Sequence, residues 1–231
     1  MITFSELGSY GAMGNQLFQY AALFGLSSKT GFEMKIPKPP SNVDGELKII
    51  GRYSNDSKNP IEKYDYAIGC FKISSQYLKP DDINSRKNNQ NNRFLKYFTT
   101  KYSKPKIKYQ YNEPHFHFDP KFFKVNDGTD ISGYFQSEKY FSHCTDEIRK
   151  EFTVKSHFME VAKKKLKEYA NKGDKIISLH VRRVGHETPD LQKIHKYPGV
   201  KYYLNAMEFF RNQISKPIFL FFSDDIKWCK S

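Results

Sequence analysis

Long apolar runs are missing from this sequence. No stretch approaches the ~20 residues that span a bilayer, and the first residues lack the charged, apolar and small-residue order of a secretory leader. The chain therefore reads as cytoplasmic, without a transmembrane segment. Cysteine is scarce: Cys70, Cys144 and Cys229 are odd in number and far apart, which argues against a disulfide framework or a Cys-x-x-Cys metal pair. Acidic residues are in deficit, 25 Asp and Glu against 38 Lys and Arg, for a net charge of +13. Such a surplus asks for an acidic partner, whether nucleic acid, an anionic membrane surface or a nucleotide-linked substrate. Much of it is lysine spread along the chain, as in Lys163-Lys164-Lys165, which more often marks a solvated helix face than a binding stripe. The Lys and Tyr interleaved over Lys101–Tyr111 could stack bases. No RNA-binding signature surrounds them, and nucleic acid is not taken as the partner.

Aromatic residues are plentiful, with 20 Phe and 16 Tyr supporting a core in a chain whose hydrophobic fraction is only 38%. At 231 residues there is room for one large or two ordinary domains. Ile176-Ile177-Ser178-Leu179-His180-Val181 reads as a strand that runs straight into Arg182-Arg183. Ligands of open α/β sheets bind just outside the carboxyl ends of the strands, and arginine suits phosphate oxygens because its planar fork holds two at once. A helix over Lys201–Asn212 follows, with Tyr203, Ala206, Met207 and Phe210 inward. Then comes Ile218–Phe222, an apolar run suited to a strand buried on both faces. Together these make a right-handed βαβ unit. If its strands are neighbours, Arg182 and Arg183 share a rim with Ser223-Asp224-Asp225, a combination suited to a nucleotide.

Nearer the start, Ile2–Leu7 reads as a strand, followed by a Gly8-x-x-Gly11-x-x-Gly14 loop and a helix apolar almost all round from Leu17 to Leu26. The spacing is neither the dinucleotide fingerprint nor a Walker A loop. A plain tight turn and an anion-binding turn both fit it. Phe32–Ile36 is a second strand, and Ile131–Ser137 a strand with its exit. Asn84–Arg93 reads as a polar loop. His115, His117 and Asp119 could face a metal from one side of a strand, but with no further clustered ligand they read as surface histidines in an aromatic loop, and no metal is assigned. A further helix carries Phe158, Val161, Ala162, Leu166 and Tyr169, ended by Asn171 and Gly173.

Gly11-Ala12-Met13-Gly14-Asn15-Gln16-Leu17-Phe18-Gln19-Tyr20-Ala21 resembles the amino-terminal signature of the bacterial-type α-1,2-fucosyltransferases of glycosyltransferase family 11. Gly133–Phe141 resembles their middle block, His180-Val181-Arg182-Arg183 their His-x-Arg-Arg motif, and Phe222-Ser223-Asp224-Asp225 with Trp228 the block after it. The resemblance implies an α/β, GT-B-like protein of two Rossmann-like domains facing a cleft. Residues 1–155 would be the acceptor side and 156–231 a donor-binding domain left incomplete by the end of the chain. It implies inverting transfer of fucose from GDP-fucose to a galactose-containing glycan, with no metal or other cofactor.

The same resemblance assigns Gly14, Asn15, Gln16, His180, Arg182, Arg183, Ser223, Asp224 and Asp225 to the donor, with Arg182 and Asn15 nearest the chemistry. The family's motif usually continues as Gly-Asp-Tyr, where this chain has Val184-Gly185-His186, so Glu187 or His186 is left as candidate base. A non-catalytic module keeping part of the nucleotide-sugar cleft is the alternative. The uncharged run Phe219–Phe222 in so small a domain is expected to leave an open edge, inviting a partner chain or self-association.

Overall fold

The computed structural model describes residues 1–38, 66–79, 82, 107–170, 175–183 and 198–230. Described residues up to Lys155 form one compact unit and those from Ser156 onward a second. Both are α/β with parallel sheets. Asn84–Arg93, Asn171, Gly173, His186 and Glu187 lie outside the described residues.

The first unit is built on five short parallel strands: β1 (Ile2–Thr3), β2 (Met34–Ile36), β3 (Gln76–Tyr77), β4 (Tyr109–Asn112) and β5 (Thr129–Ser132), in the order β3-β2-β1-β5-β4. Chain order reverses at β1, whose neighbours are β2 on one side and β5 on the other, so the crevice beyond β1 and β5 is a topological switch point. β1 stops at Thr3 instead of reaching Leu7. The backbone N–H of Ser5 donates to Asp130 Oδ1 at 2.9 Å, and the Leu7 N–H turns back to the Phe4 carbonyl at 3.1 Å. A side-chain carboxylate and a turn have taken the bonds a sheet would use. β4 falls in the Lys- and Tyr-rich stretch and is an edge strand with mostly exposed side chains.

Helix α1 (Met13–Thr30) follows the glycine loop and buries Tyr20, Leu23 and Leu26 against the sheet and the 3₁₀ turns near Tyr140. Full burial of each leucine contributes roughly 1.5–3 kcal/mol. The helix ends at Gly31, whose φ of 74° lets its N–H close onto the Ser27 carbonyl at 2.8 Å. Midway, Gly25 lets α1 approach so closely that a side chain there would strike the Tyr140 carbonyl. Helix α2 (Thr145–Glu151) covers the other flank of α1 through Ile148, packed with Ala21 and Cys144. Cys70 and Cys144 are buried free thiols, and burial pushes both up from the ordinary thiol range.

The second unit contains α3 (Ser156–Ala170), β6 (Lys175–Val181), α4 (Val200–Arg211), β7 (Pro217–Ser223) and α5 (Ile226–Lys230). β6 and β7 are parallel neighbours in register from Lys175 opposite Pro217 to Val181 opposite Ser223. α4 turns Tyr203 inward, with Ala206, Met207 and Phe210 half-buried. β7 is not buried on both faces: its residues are half-exposed, and Phe222 reaches 57%. Among the described residues β7 pairs with β6 alone, so its apolar side chains lack the flanking strand that would cover them. No helix among the described residues is long and apolar enough to cross a membrane.

Candidate functional site

In the second unit, the carboxyl ends of β6 and β7 bring together the residues that follow them. The register sets His180 beside Phe222 and Val181 beside Ser223. Val181 is buried, whereas His180 and Arg182 are exposed, as alternation along a strand requires. Arg183 is tied to β7's exit three ways. Its backbone N–H donates to Asp224 Oδ1 at 2.9 Å, its guanidinium lies 3.5 Å from Asp225 Oδ2, and its Cζ stands 4.5 Å over the centre of the Trp228 ring. Asp225 does further local work: its N–H donates to Ser223 Oγ at 2.9 Å, and its Oδ1 accepts from the Trp228 N–H at 3.0 Å, opening α5. The two acidic residues are thus engaged in holding the rim, and Arg182 stands exposed at its end.

In the first unit, the loop after β1 and the exit of β5 meet at the switch point. Asn15, half-buried in the first turn of α1, accepts a 2.7 Å hydrogen bond on its Oδ1 from Gln136 Nε2. Gln16 points the other way: it is fully buried, donating to the Gly11 carbonyl at 3.0 Å and accepting from the Ala67 N–H at 2.8 Å. Those bonds give Gln16 a structural task in fixing the glycine loop. Gly11 needs its φ of 80°, and a Cβ there would come within 2.6 Å of Asn15 Cβ. Gly14 is different. It is exposed, its φ is not positive, and an added Cβ would meet nothing within 4 Å, so neither conformation nor packing asks for glycine.

Sequence reasoning missed the residues that shape this rim from β4 and β5. Glu113, just past β4, accepts on Oε2 from the N–H groups of Tyr134 and Phe135, at 2.7 and 2.9 Å. Phe135 holds a φ of 51°, uncommon for a residue with a side chain, while its ring is fully buried. Tyr10 lies under the same turn, its hydroxyl accepting from the Gly133 N–H at 2.8 Å and donating to the Gly133 carbonyl at 3.0 Å. Burial raises the Tyr10 phenol above its usual range, so it serves as a neutral hydroxyl. The block Gly133–Phe141 was visible as a motif, but its partner Glu113 lies 21 residues upstream with no pattern linking them.

His115 Nδ1 is 3.0 Å from the His117 carbonyl within its own loop, and among the described residues no three His, Cys, Asp or Glu gather to hold a metal. Asp119 instead caps the following turn, accepting from the Lys121 N–H at 3.0 Å and the Tyr111 hydroxyl at 2.8 Å, bonds that hold its carboxyl below the usual carboxylate range.

Comparison with known proteins accords with the motifs of the second unit. The family described as "Glycosyl transferase family 11" matches residues 60–231, a span that leaves the glycine loop outside it. An α-1,2-colitosyltransferase of Escherichia coli is 28% identical over 99 residues, covering 42% of this chain and 33% of that protein. Human galactoside α-(1,2)-fucosyltransferase 1 is 32% identical over 106 residues, covering 43% of this chain and 29% of its own. Galactoside α-(1,2)-fucosyltransferase 2 of Hylobates lar is 33% identical over 107 residues, 43% and 30% of the two chains. The matches thus span about a third of the length of these curated relatives. No solved structure matches. With the family matched over more than half its length, the chain belongs to glycosyltransferase family 11.

Proposed function

We propose that the chain carries out inverting transfer of fucose from GDP-fucose to a hydroxyl of a galactose-containing glycan, as a cytoplasmic GT-B-like enzyme whose residues 1–155 take the acceptor and 156–231 the nucleotide. The observation that carries this reading is the exposed Arg182 beside a braced Arg183, at the carboxyl ends of two parallel strands. In the displacement, the acceptor oxygen bonds to the anomeric carbon as the bond to GDP breaks. GDP leaves with the electron pair, and the hydroxyl proton passes to a base. Charge grows on the departing diphosphate, so a fixed guanidinium stabilises the transition state more than the ground state. Losing such a group costs roughly 3–4 kcal/mol of barrier by analogy with an oxyanion donor.

Arg182 is assigned to the diphosphate. Arg183, Asp224 and Asp225 position it, a role supported by their mutual bonds. His180 and Ser223 flank the nucleotide. Asn15 and the open backbone at Gly14 approach the fucosyl phosphate, which gives Gly14 a reason the fold does not. Gln16 supports that loop from beneath. His186 and Glu187 are the candidate bases. The reaction as read needs no metal or other cofactor.

The half-exposed β7 favours an added partner or a second copy, an expectation that light scattering at several concentrations tests. A second reading, a non-catalytic module that binds the nucleotide only, is favoured by Val184-Gly185 standing where the family has Gly-Asp. Titrating GDP and GDP-fucose into the 231-residue chain, then assaying fucose transfer to lactose, separates the two. Binding with transfer supports the enzyme, binding without transfer the module, and no binding defeats both.

A further inference from the structure

The exit of β5 presents more than the Asn15–Gln136 contact. Beside it runs a ladder of rings. Tyr134 meets Tyr10 edge-on, with centroids 5.4 Å apart and planes at 87°. On the outer side Phe116 runs nearly parallel to Tyr134, with planes at 26° and centroids 6.4 Å apart. Phe116 is 71% exposed, the most exposed large hydrophobic side chain among the described residues. Its neighbour is firmly placed. Glu113 clasps the Tyr134 and Phe135 N–H groups, the Phe135 ring is sealed in the core, and Tyr10 grips Gly133 from both sides. Backbone held in a sparsely populated region by such bonds clusters at ligand sites. Next along the rim, Glu6 is exposed and accepts on Oε2 from Ser132 Oγ at 3.1 Å, and the Ser132 Oγ lies 3.4 Å from the Tyr10 hydroxyl. A flat apolar surface thus adjoins a carboxylate at the switch point of the sheet.

We propose that Phe116 and Tyr134 form a stacking platform for a pyranose ring, with Glu6 accepting hydrogen bonds from the sugar hydroxyls. A hexopyranose matches both halves. Its C–H face desolvates against aromatic rings, and its hydroxyls are donors that a carboxylate can accept. The naming of that sugar as a terminal galactoside rests on the transferase reading above. Stacking on the first unit leaves the nucleotide to the residues that follow β6 and β7.

The test uses the 231-residue chain and methyl β-D-galactopyranoside, observed by saturation-transfer NMR, with GDP-fucose affinity measured separately by calorimetry. The wild type is expected to saturate the protons of the sugar's apolar face. Because Phe116 is exposed, Phe116→Ala and Phe116→Leu should melt like the wild type and yet bind the galactoside roughly three- to tenfold more weakly, with Phe116→Trp restoring it. Wild-type galactoside affinity in Phe116→Ala, or no saturation of the sugar by a wild type that melts cooperatively, overturns the platform. If Phe116 governs galactoside binding while GDP-fucose does not bind, the platform stands and the transferase reading falls. Fucose transfer with an acceptor KM unchanged by Phe116→Ala gives the reverse.

Discussion

Arg183 and Trp228 are stacked, the guanidinium carbon 4.5 Å from the centre of the indole, and Asp225 links them, its Oδ2 paired with the guanidinium and its Oδ1 accepting from the Trp228 backbone N–H. Stacks of this kind contribute about 0.5–1 kcal/mol at exposed sites. Trp228 is the sole tryptophan, so its fluorescence reports on this rim alone. Arg183→Lys keeps the charge and loses the planar stack. The expected result is a shifted Trp228 emission maximum with GDP affinity weakened a few-fold. An unchanged spectrum would show that the stack is not maintained in solution.

Arg182→Lys should weaken GDP binding at least tenfold, about 1.4 kcal/mol, because a point ammonium cannot reproduce a bidentate fork on phosphate. The melting temperature should hardly move, since Arg182 is exposed. Calorimetric titration with GDP measures the first and differential scanning fluorimetry the second. Wild-type GDP affinity in this variant would remove Arg182 from the nucleotide site.

The two loop glycines should respond oppositely to alanine. Gly11→Ala forces a side chain onto a backbone with φ of 80° and against Asn15 Cβ, and is expected to destabilise by about 1–2 kcal/mol. Gly14→Ala places its methyl in open space within a helical turn and should stabilise by up to about 1 kcal/mol. If backbone must approach the fucosyl phosphate there, the more stable Gly14→Ala protein will nonetheless transfer fucose more slowly. Urea unfolding and a transfer assay on each variant separate these effects.

Tyr20 ties α1 to its surroundings, with Oη 2.7 Å from Ser75 Oγ and donating to Glu151 Oε2 at 2.7 Å. Burial first, and then the Glu151 carboxylate, raise its pKa far above the ordinary phenol value. The sign follows from linkage: a group whose folded pKa is raised contributes fully below its unfolded value and less as pH climbs past it. Stability should therefore fall as pH rises beyond about 10. Tyr20→Phe should cost about 1–2 kcal/mol at neutral pH and make that alkaline decline shallower. Denaturant titrations from pH 8 to 11 test both.

What could be read from the sequence was whatever repeats at short range. α1 announced itself as an apolar run behind a glycine loop and β6 through apolar alternation, and Arg182-Arg183 stood out because charge follows a strand without a break. β4 was hidden because an edge strand needs no buried face, and its Tyr-Gln-Tyr-Asn reads as polar. The length of β1 was overestimated because Asp130, far along the chain, takes the Ser5 N–H. The family resemblance assigned Gln16 to the donor, and only the fold shows its amide bonded to Gly11 and Ala67. Glu113 was invisible for the same reason: its role depends on a turn brought to it by the pairing of β4 with β5.

The strand order also dictates when the first sheet can close. β1 lies between β2 and β5, and Thr3 Oγ1 donates to Asp130 Oδ1 across 127 residues. At ordinary translation rates that separation corresponds to a delay on the order of ten seconds. Until β5 emerges, Ile2 and Phe4 have no cover on one side, and the nascent chain offers its central strand to any competing edge. Ribosome-bound fragments ending before Thr129 should therefore be cut readily by protease, and those carrying β5 and Tyr140 clear of the exit tunnel should resist.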